Sequence, residues 1–253
     1  EPDKAPEVIK DFETFTEKTT DKTDKALLNS MLAELYANYY QANQWNINER
    51  TEVHGTTPDD INEWTKNIFY DKISNLLDKS LHNKELLQKT DVQRYELLLE
   101  KGKDSEKLQP TLFDFLAQRK IDILESLEGI TDVENSLDEA EYYLPAVEFV
   151  KQKFDEEFQQ SLENKILAVY QQLIVFHLID SQPDALIYID LKRLDYVYSK
   201  SEDKKSYLNA LEAMEKNYRN FPAVVEVLAD LASYYHGLNE NEEDENAEVD
   251  KTA

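Results

Sequence analysis

The apolar residues of this chain recur at intervals of three and four, and no stretch bounded by turn residues alternates apolar with polar. Such spacing lines one face of a helix; a half-buried strand needs a period of two. Leu27, Leu28, Met31, Leu32, Leu35, Tyr36, Tyr39 and Tyr40 trace one broad face and predict a helix over about 24–43. Ile61, Trp64, Ile68, Phe69, Ile73, Leu76, Leu77 and Leu81 trace the next. Thr57 is its expected N-cap, Pro58 its first helical residue, and Asp59 and Asp60 its acidic first turn. Thr90 and Gln93 have the spacing of a capping box, and Pro110-Thr111 opens a helix that Gly129 closes. Ser136 and Glu139 read as a helix start, with Pro145 as its end or kink and a further helix to about 160. Four more helices are expected over about 162–179, 184–199, 204–219 and 222–236. The fold class is all-α, expected as stacked antiparallel helical hairpins.

Glycine usage supports this and excludes much chemistry. The four glycines, Gly55, Gly102, Gly129 and Gly237, are far apart. They build no GxGxxG, no GxxxxGK[ST] and no GxSxG, each of which needs glycine where backbone approaches a ligand or takes positive φ. The chain has no cysteine, so disulfides, thiolate zinc sites, iron–sulfur clusters and a cysteine nucleophile are all excluded. With 41% hydrophobic residues, the 253-residue chain can bury a sizeable core.

The formal charge is -25. It is spread along the chain: -9 over residues 1–128, -10 over 129–238 and -6 over 239–253. An even spread reads as a solvated surface, and it disfavours nucleic acid, whose phosphates it repels. No EF-hand loop is present. The expected organisation is a polar segment 1–20 with one short helix (Val8, Ile9, Phe12, Phe15), helical subdomains over 21–128 and 129–238, and a disordered acidic tail or linker over 239–253. No run reaches the roughly 18–20 apolar residues that span a bilayer. The chain starts at Glu1, which leaves room for a removed N-terminal signal.

Few residues suggest chemistry. His54, His82, His177 and His236 are not at metal-ligand spacing. His177, near an apolar face, reads as a core histidine with a backbone or carboxylate partner; His236, before Gly237, reads as a C-terminal cap. Among 53 carboxylates some pair could suit glycoside hydrolysis, but Glu125, Glu128, Asp155, Glu156 and Glu157 sit at positions expected to be wet. No cofactor or metal site is expected. Trp45 and Arg50 fall in a polar stretch over 44–58, where they could bind a ligand. The preferred reading is loop docking, with the indole buried and Arg50 bonding carbonyls. Trp64 is grouped with them as an interaction or docking residue.

Two resemblances go further. Tyr218-Arg-Asn-Phe-Pro222 followed by Val227–Gly237 resembles the junction of tetratricopeptide repeats, with Ala210, Pro222, Leu231, Ala232 and Tyr235 in the packing roles and Leu228 at the tryptophan position. No 34-residue period persists, so the array is divergent. In addition, the blocks Leu27–Val53, Asp59–Leu81, Leu108–Leu124, Tyr170–Ser199 and Tyr207–Tyr235 together resemble the N-terminal helical region of large alpha-2-macroglobulin-like proteins from Bacteroidetes. That resemblance implies a cell-envelope protein, lipid-anchored through the removed signal, whose helical region precedes macroglobulin domains that trap proteases. Its partners would be other proteins or downstream domains of the same chain. The matching residues Trp45, Arg50, Trp64, Pro110 and Arg119 would be structural, and the thioester Cys-Gly-Glu-Gln has no counterpart here. The expectation is a noncatalytic helical interaction module. The alternatives are a tetratricopeptide-like adaptor that binds peptide in a groove lined by Tyr and Asn, and a two-carboxylate glycoside hydrolase.

Overall fold

The structure, a computed structural model, describes residues 4–51, 57–100, 102–133, 135–154, 161–201 and 203–251, with side chains up to 237. Among the described residues there are eleven α-helices and three 3-10 turns, and no strand. The protein is all-α. It divides into two units, described in turn: Glu1–Asn135 with Asp155–Val169, and Ser136–Phe154 with Tyr170–Ala253. The division falls later than the expected one after residue 128, and each unit takes two stretches of chain.

The first unit contains α1 (Ala5–Lys18), α2 (Lys22–Asn48), α3 (Lys66–Leu81), α4 (Lys84–Leu87), α5 (Ser105–Leu108) and α6 (Leu112–Glu125). The 27-residue α2 packs against α1, α3 and α6. Leu32, Ala33, Tyr36, Ala37 and Tyr40 of α2 are buried with Phe69, Ile73 and Leu77 of α3 and Leu112, Phe113, Leu116 and Ile121 of α6. Start signals are side-chain caps on orphan N–H groups. Asp21 accepts from the N–H groups of Thr23 and Asp24 at the head of α2. Thr111 and Asp114 form a reciprocal capping box at the head of α6. After α6 the chain turns through Gly129 at φ +78°, a conformation that suits glycine.

The second unit contains α7 (Ala146–Phe149), the second half of α8 (Leu162–His177), α9 (Asp184–Ser199), α10 (Lys204–Tyr218) and α11 (Val224–Lys251), preceded by a 3-10 turn over Ala140–Tyr143. α9 packs against α10, α11 and that turn. α11 folds back along α10, so that Tyr234 Oη donates to the Lys204 carbonyl at 3.1 Å and Tyr235 Oη to Glu212 at 3.0 Å.

Several expectations are corrected. The helix after Pro58 begins only at Lys66: a 3-10 turn over Ile61–Glu63, capped by Asp60, comes first. At Thr90 the cap is Asp91, and it starts a 3-10 turn over Val92–Tyr95. Ser136 and Glu139 open no α-helix, because the turn over Ala140–Tyr143 runs straight into Pro145. That proline instead precedes the single-turn α7, as its fixed φ allows. The helix expected to about 160 is not seen up to 154, and residues 155–160 lie outside the described residues, as do the acids Asp155, Glu156 and Glu157. The segment 239–253, expected as a disordered tail or a linker, continues α11 as far as Lys251. Its Glu, Ala and Lys favour helix, and it extends a helix already nucleated, which is the inexpensive step. Gly237 and His236 therefore lie inside α11 rather than at its C-terminus.

Candidate functional site

A groove of about 640 Å3 opens in the second unit. One wall is the stretch from the turn over Ala140–Tyr143 into α7; the other is α10, with α9 at the base. The base is held by a buried ion pair. Arg193 has no exposed surface, and its Nε and Nη2 donate to Asp190 Oδ1 at 2.9 and 2.5 Å. Its remaining donors reach across the chain: Nη1 to the Tyr142 carbonyl at 2.5 Å and Nη2 to the Leu144 carbonyl at 3.1 Å. The guanidinium also lies 4.4 Å from the Phe149 ring centroid. A flat five-donor group fits this role as an ammonium could not. It ties a nonhelical wall, with carbonyls no helix satisfies, to α9.

On the α10 side, Asn209, Ala213 and Asn217 form a stripe at i, i+4 and i+8, flanked by Ala210 and Met214. Both carboxamides are exposed, and neither makes a side-chain hydrogen bond with another described residue. Tyr143 and Tyr218 stand at the edges. The lining thus offers small apolar surface, two unused donor–acceptor groups and aromatic rims, and its one buried ion pair is internally satisfied.

Beside α10 lies a tyrosine–carboxylate cluster that does not line this groove. Tyr198 stacks on Tyr207 at 4.2 Å, and Tyr234 is 6.0 Å from Tyr207. Tyr207 Oη donates to Asp195 Oδ1 at 2.7 Å. Burial raises the Asp195 carboxyl above its ordinary range. Burial, then the charges of Asp195 and Glu226, push Asp230 up to about 6. Raised carboxyls can mark general acids. Here Asp195 of α9 and Asp230 of α11 lie among tyrosines, and neither lines the groove.

The residues singled out in the sequence lie in the first unit. Trp64 is buried at 8% exposure and stacks on Tyr36 at 5.4 Å and against Phe69 at 5.3 Å. Its Nε1 donates to the Pro58 carbonyl at 2.7 Å. Arg50 Nη1 donates to the Trp64 carbonyl at 2.6 Å, so these two come together and tie the segment after α2 to the head of α3. Trp45 joins neither. It sits in α2, not in a loop, and is 80% exposed. Helix α2 runs on to Asn48 because Ile47 finds a buried place and Tyr40 Oη donates to Asn48 Oδ1 at 3.1 Å. That register turns Trp45 outward. Arg119 donates to Ser30 and Glu34, holding α6 to α2. His177 is buried, with Nδ1 2.7 Å from Asp180 Oδ2.

The sequence reading missed Arg193 and Asp190. An Arg three residues after an Asp, within an otherwise apolar helix face, was the available signal. Among the described residues, no group of three His, Asp or Glu side chains is placed to hold a metal, and no helix is long and apolar enough to cross a membrane. No family model, no curated protein and no solved structure matches this chain.

Proposed function

We propose that the protein is a noncatalytic helical interaction module, and that the groove along α10 receives an extended segment of a protein partner. The observation that carries this is the pair of unengaged carboxamides, Asn209 and Asn217, on one stripe of α10. They lie eight residues apart, about 12 Å along the helix axis. Four residues of an extended peptide span about 13 Å, and their backbone groups at that spacing face the same side. Two Asn side chains can therefore bind two peptide groups of one strand, while Ala210, Ala213 and Met214 receive the apolar side chain between them. The tetratricopeptide-like hairpin of α10 and α11 fits such use.

The resemblance to alpha-2-macroglobulin-like proteins of the Bacteroidetes supplies the setting: the cell envelope, with the partner strand coming from a downstream domain or a captured protein. A peptide array probed with the purified protein tests the groove. Enrichment of sequences with apolar side chains at a fixed offset, weakened about tenfold in the N209A/N217A double variant by the loss of two hydrogen bonds, is expected. Enrichment that the double variant leaves intact overturns it. The setting has its own test in the parent gene, which should encode β-rich macroglobulin domains after the helical region.

A further inference from the structure

The first unit holds a second groove, of about 420 Å3, between the end of α1, the first turns of α2 and the last turns of α3. Its charge runs against that of the chain. Acids outnumber Lys and Arg by 53 to 28 overall, yet this lining carries Lys22, Lys25, Lys72 and Lys79 with His82, against Glu13 and Glu17. Two of the lysines are engaged. Lys72 pairs with Glu13 and lies 5.3 Å over the Tyr36 ring, and Lys25 Nζ donates to the Glu17 carbonyl at 3.1 Å. Lys22, Lys79 and His82 are exposed, and their side chains make no hydrogen bond or ion pair with a described residue.

Helix dipoles do not explain this placement. Lys79 is favourable near the C-terminus of α3, but Lys22 is the first residue of α2, where a cation is disfavoured. The amides at that end are already taken by the Asp21 carboxylate, so recognition falls to the side chains. Between the cations the lining is partly apolar, with Ala26, Leu32 and Leu76 beside the buried polar residues Thr16 and Asn29. A concave, partly apolar wall lowers local screening and strengthens the pull of its charges on an anion.

We propose that this groove binds a small ligand bearing a phosphate or carboxylate oxyanion, with Lys22 and Lys79 as its unpaired cationic contacts and the apolar part of the lining taking the body of the ligand. The inference stands apart from the peptide groove of the second unit, and either can fail alone.

The test is calorimetric titration of the whole protein with inorganic phosphate and, separately, with citrate, against sodium chloride at matched ionic strength. Saturable binding of either anion is expected, and the one bound tells whether phosphate or carboxylate chemistry is preferred. The K22Q/K79Q double variant should bind it about tenfold more weakly. Its thermal midpoint without anion should match the parent, since both side chains are exposed and unpartnered. K89Q, which removes an exposed lysine of the same unit outside the groove, should bind like the parent. Binding indistinguishable from chloride, or equal affinity in K22Q/K79Q, overturns the proposal.

Discussion

Replacing Arg193 by Ala would leave the Asp190 carboxylate buried without its partner and two carbonyls of the groove wall without donors. Breaking a buried pair from one side typically costs about 3–5 kcal/mol. A thermal or urea melt of Arg193→Ala should show a loss of that order; a loss under about 1 kcal/mol would mean the pair does not hold the wall. Trp64→Ala should cost about 3–5 kcal/mol by the same measurement, as expected for a large aromatic removed from a core. Trp45→Ala should change stability by less than about 0.5 kcal/mol, since the indole is exposed. Composition cannot separate these two tryptophans, and helical phase can. Tyr36 and Tyr40 are buried and share one face of α2, which continues through half-buried Asn43 to buried Ile47; Trp45, nine residues after Tyr36, falls on the opposite side. Phase drifts along 27 residues, and only the packing partners fix where it ends.

At the scale of single elements, start signals were legible where a cap and an apolar face coincide. Thr111 is such a case; α9, whose expected span over 184–199 is the observed one, was legible from its apolar face alone, since the residue before it, Pro183, makes no side-chain cap. Thr111→Ala should lower stability by about 1 kcal/mol, measured as a shift in urea midpoint at constant slope. What could not be read were the short 3-10 turns over Ile61–Glu63 and Ala140–Tyr143. Each carries helix-like spacing over three or four residues, too few to show a period, and each is held by distant groups. Arg50 and Trp64 hold the first, Arg193 the second. The groove was not legible in the sequence. Its position depends on a nonhelical wall that no local pattern announces.

Over the whole molecule, charge sets the response to solvent. The formal charge of -25 makes self-repulsion a destabilising term, and it is screened as salt rises. Raising sodium chloride from about 0.01 M to about 0.15 M should lift the thermal midpoint by a few degrees. Asp230 adds a pH dependence of defined sign. Its carboxyl is raised to about 6 from an ordinary 3.8, so the folded state holds a proton that the unfolded state gives up first. Stability from this group therefore falls as pH rises from about 4 to about 6 and is level beyond. Asp230→Asn should raise the midpoint at pH 8 relative to the parent and lose that advantage at pH 4, in paired thermal scans. Asp21 acts in the opposite sense. The N–H groups of Asp24 and the Thr23 side chain hold its carboxyl below the usual range, so its contribution is present above about 4 and fades as acid protonates it.

The placement of the two tryptophans has an optical consequence. Both belong to the first unit, one exposed to solvent and one sealed against Tyr36 and Phe69, while the second unit has tyrosines and phenylalanines but no tryptophan. Emission excited near the red edge of indole absorption therefore reports on the first unit alone and comes from two fluorophores of opposite accessibility. Acrylamide, being neutral and indifferent to the negative surface, should quench the Trp45 contribution at once and leave a blue-shifted remainder from Trp64. That remainder would follow the melting of the first unit against a silent background from the second.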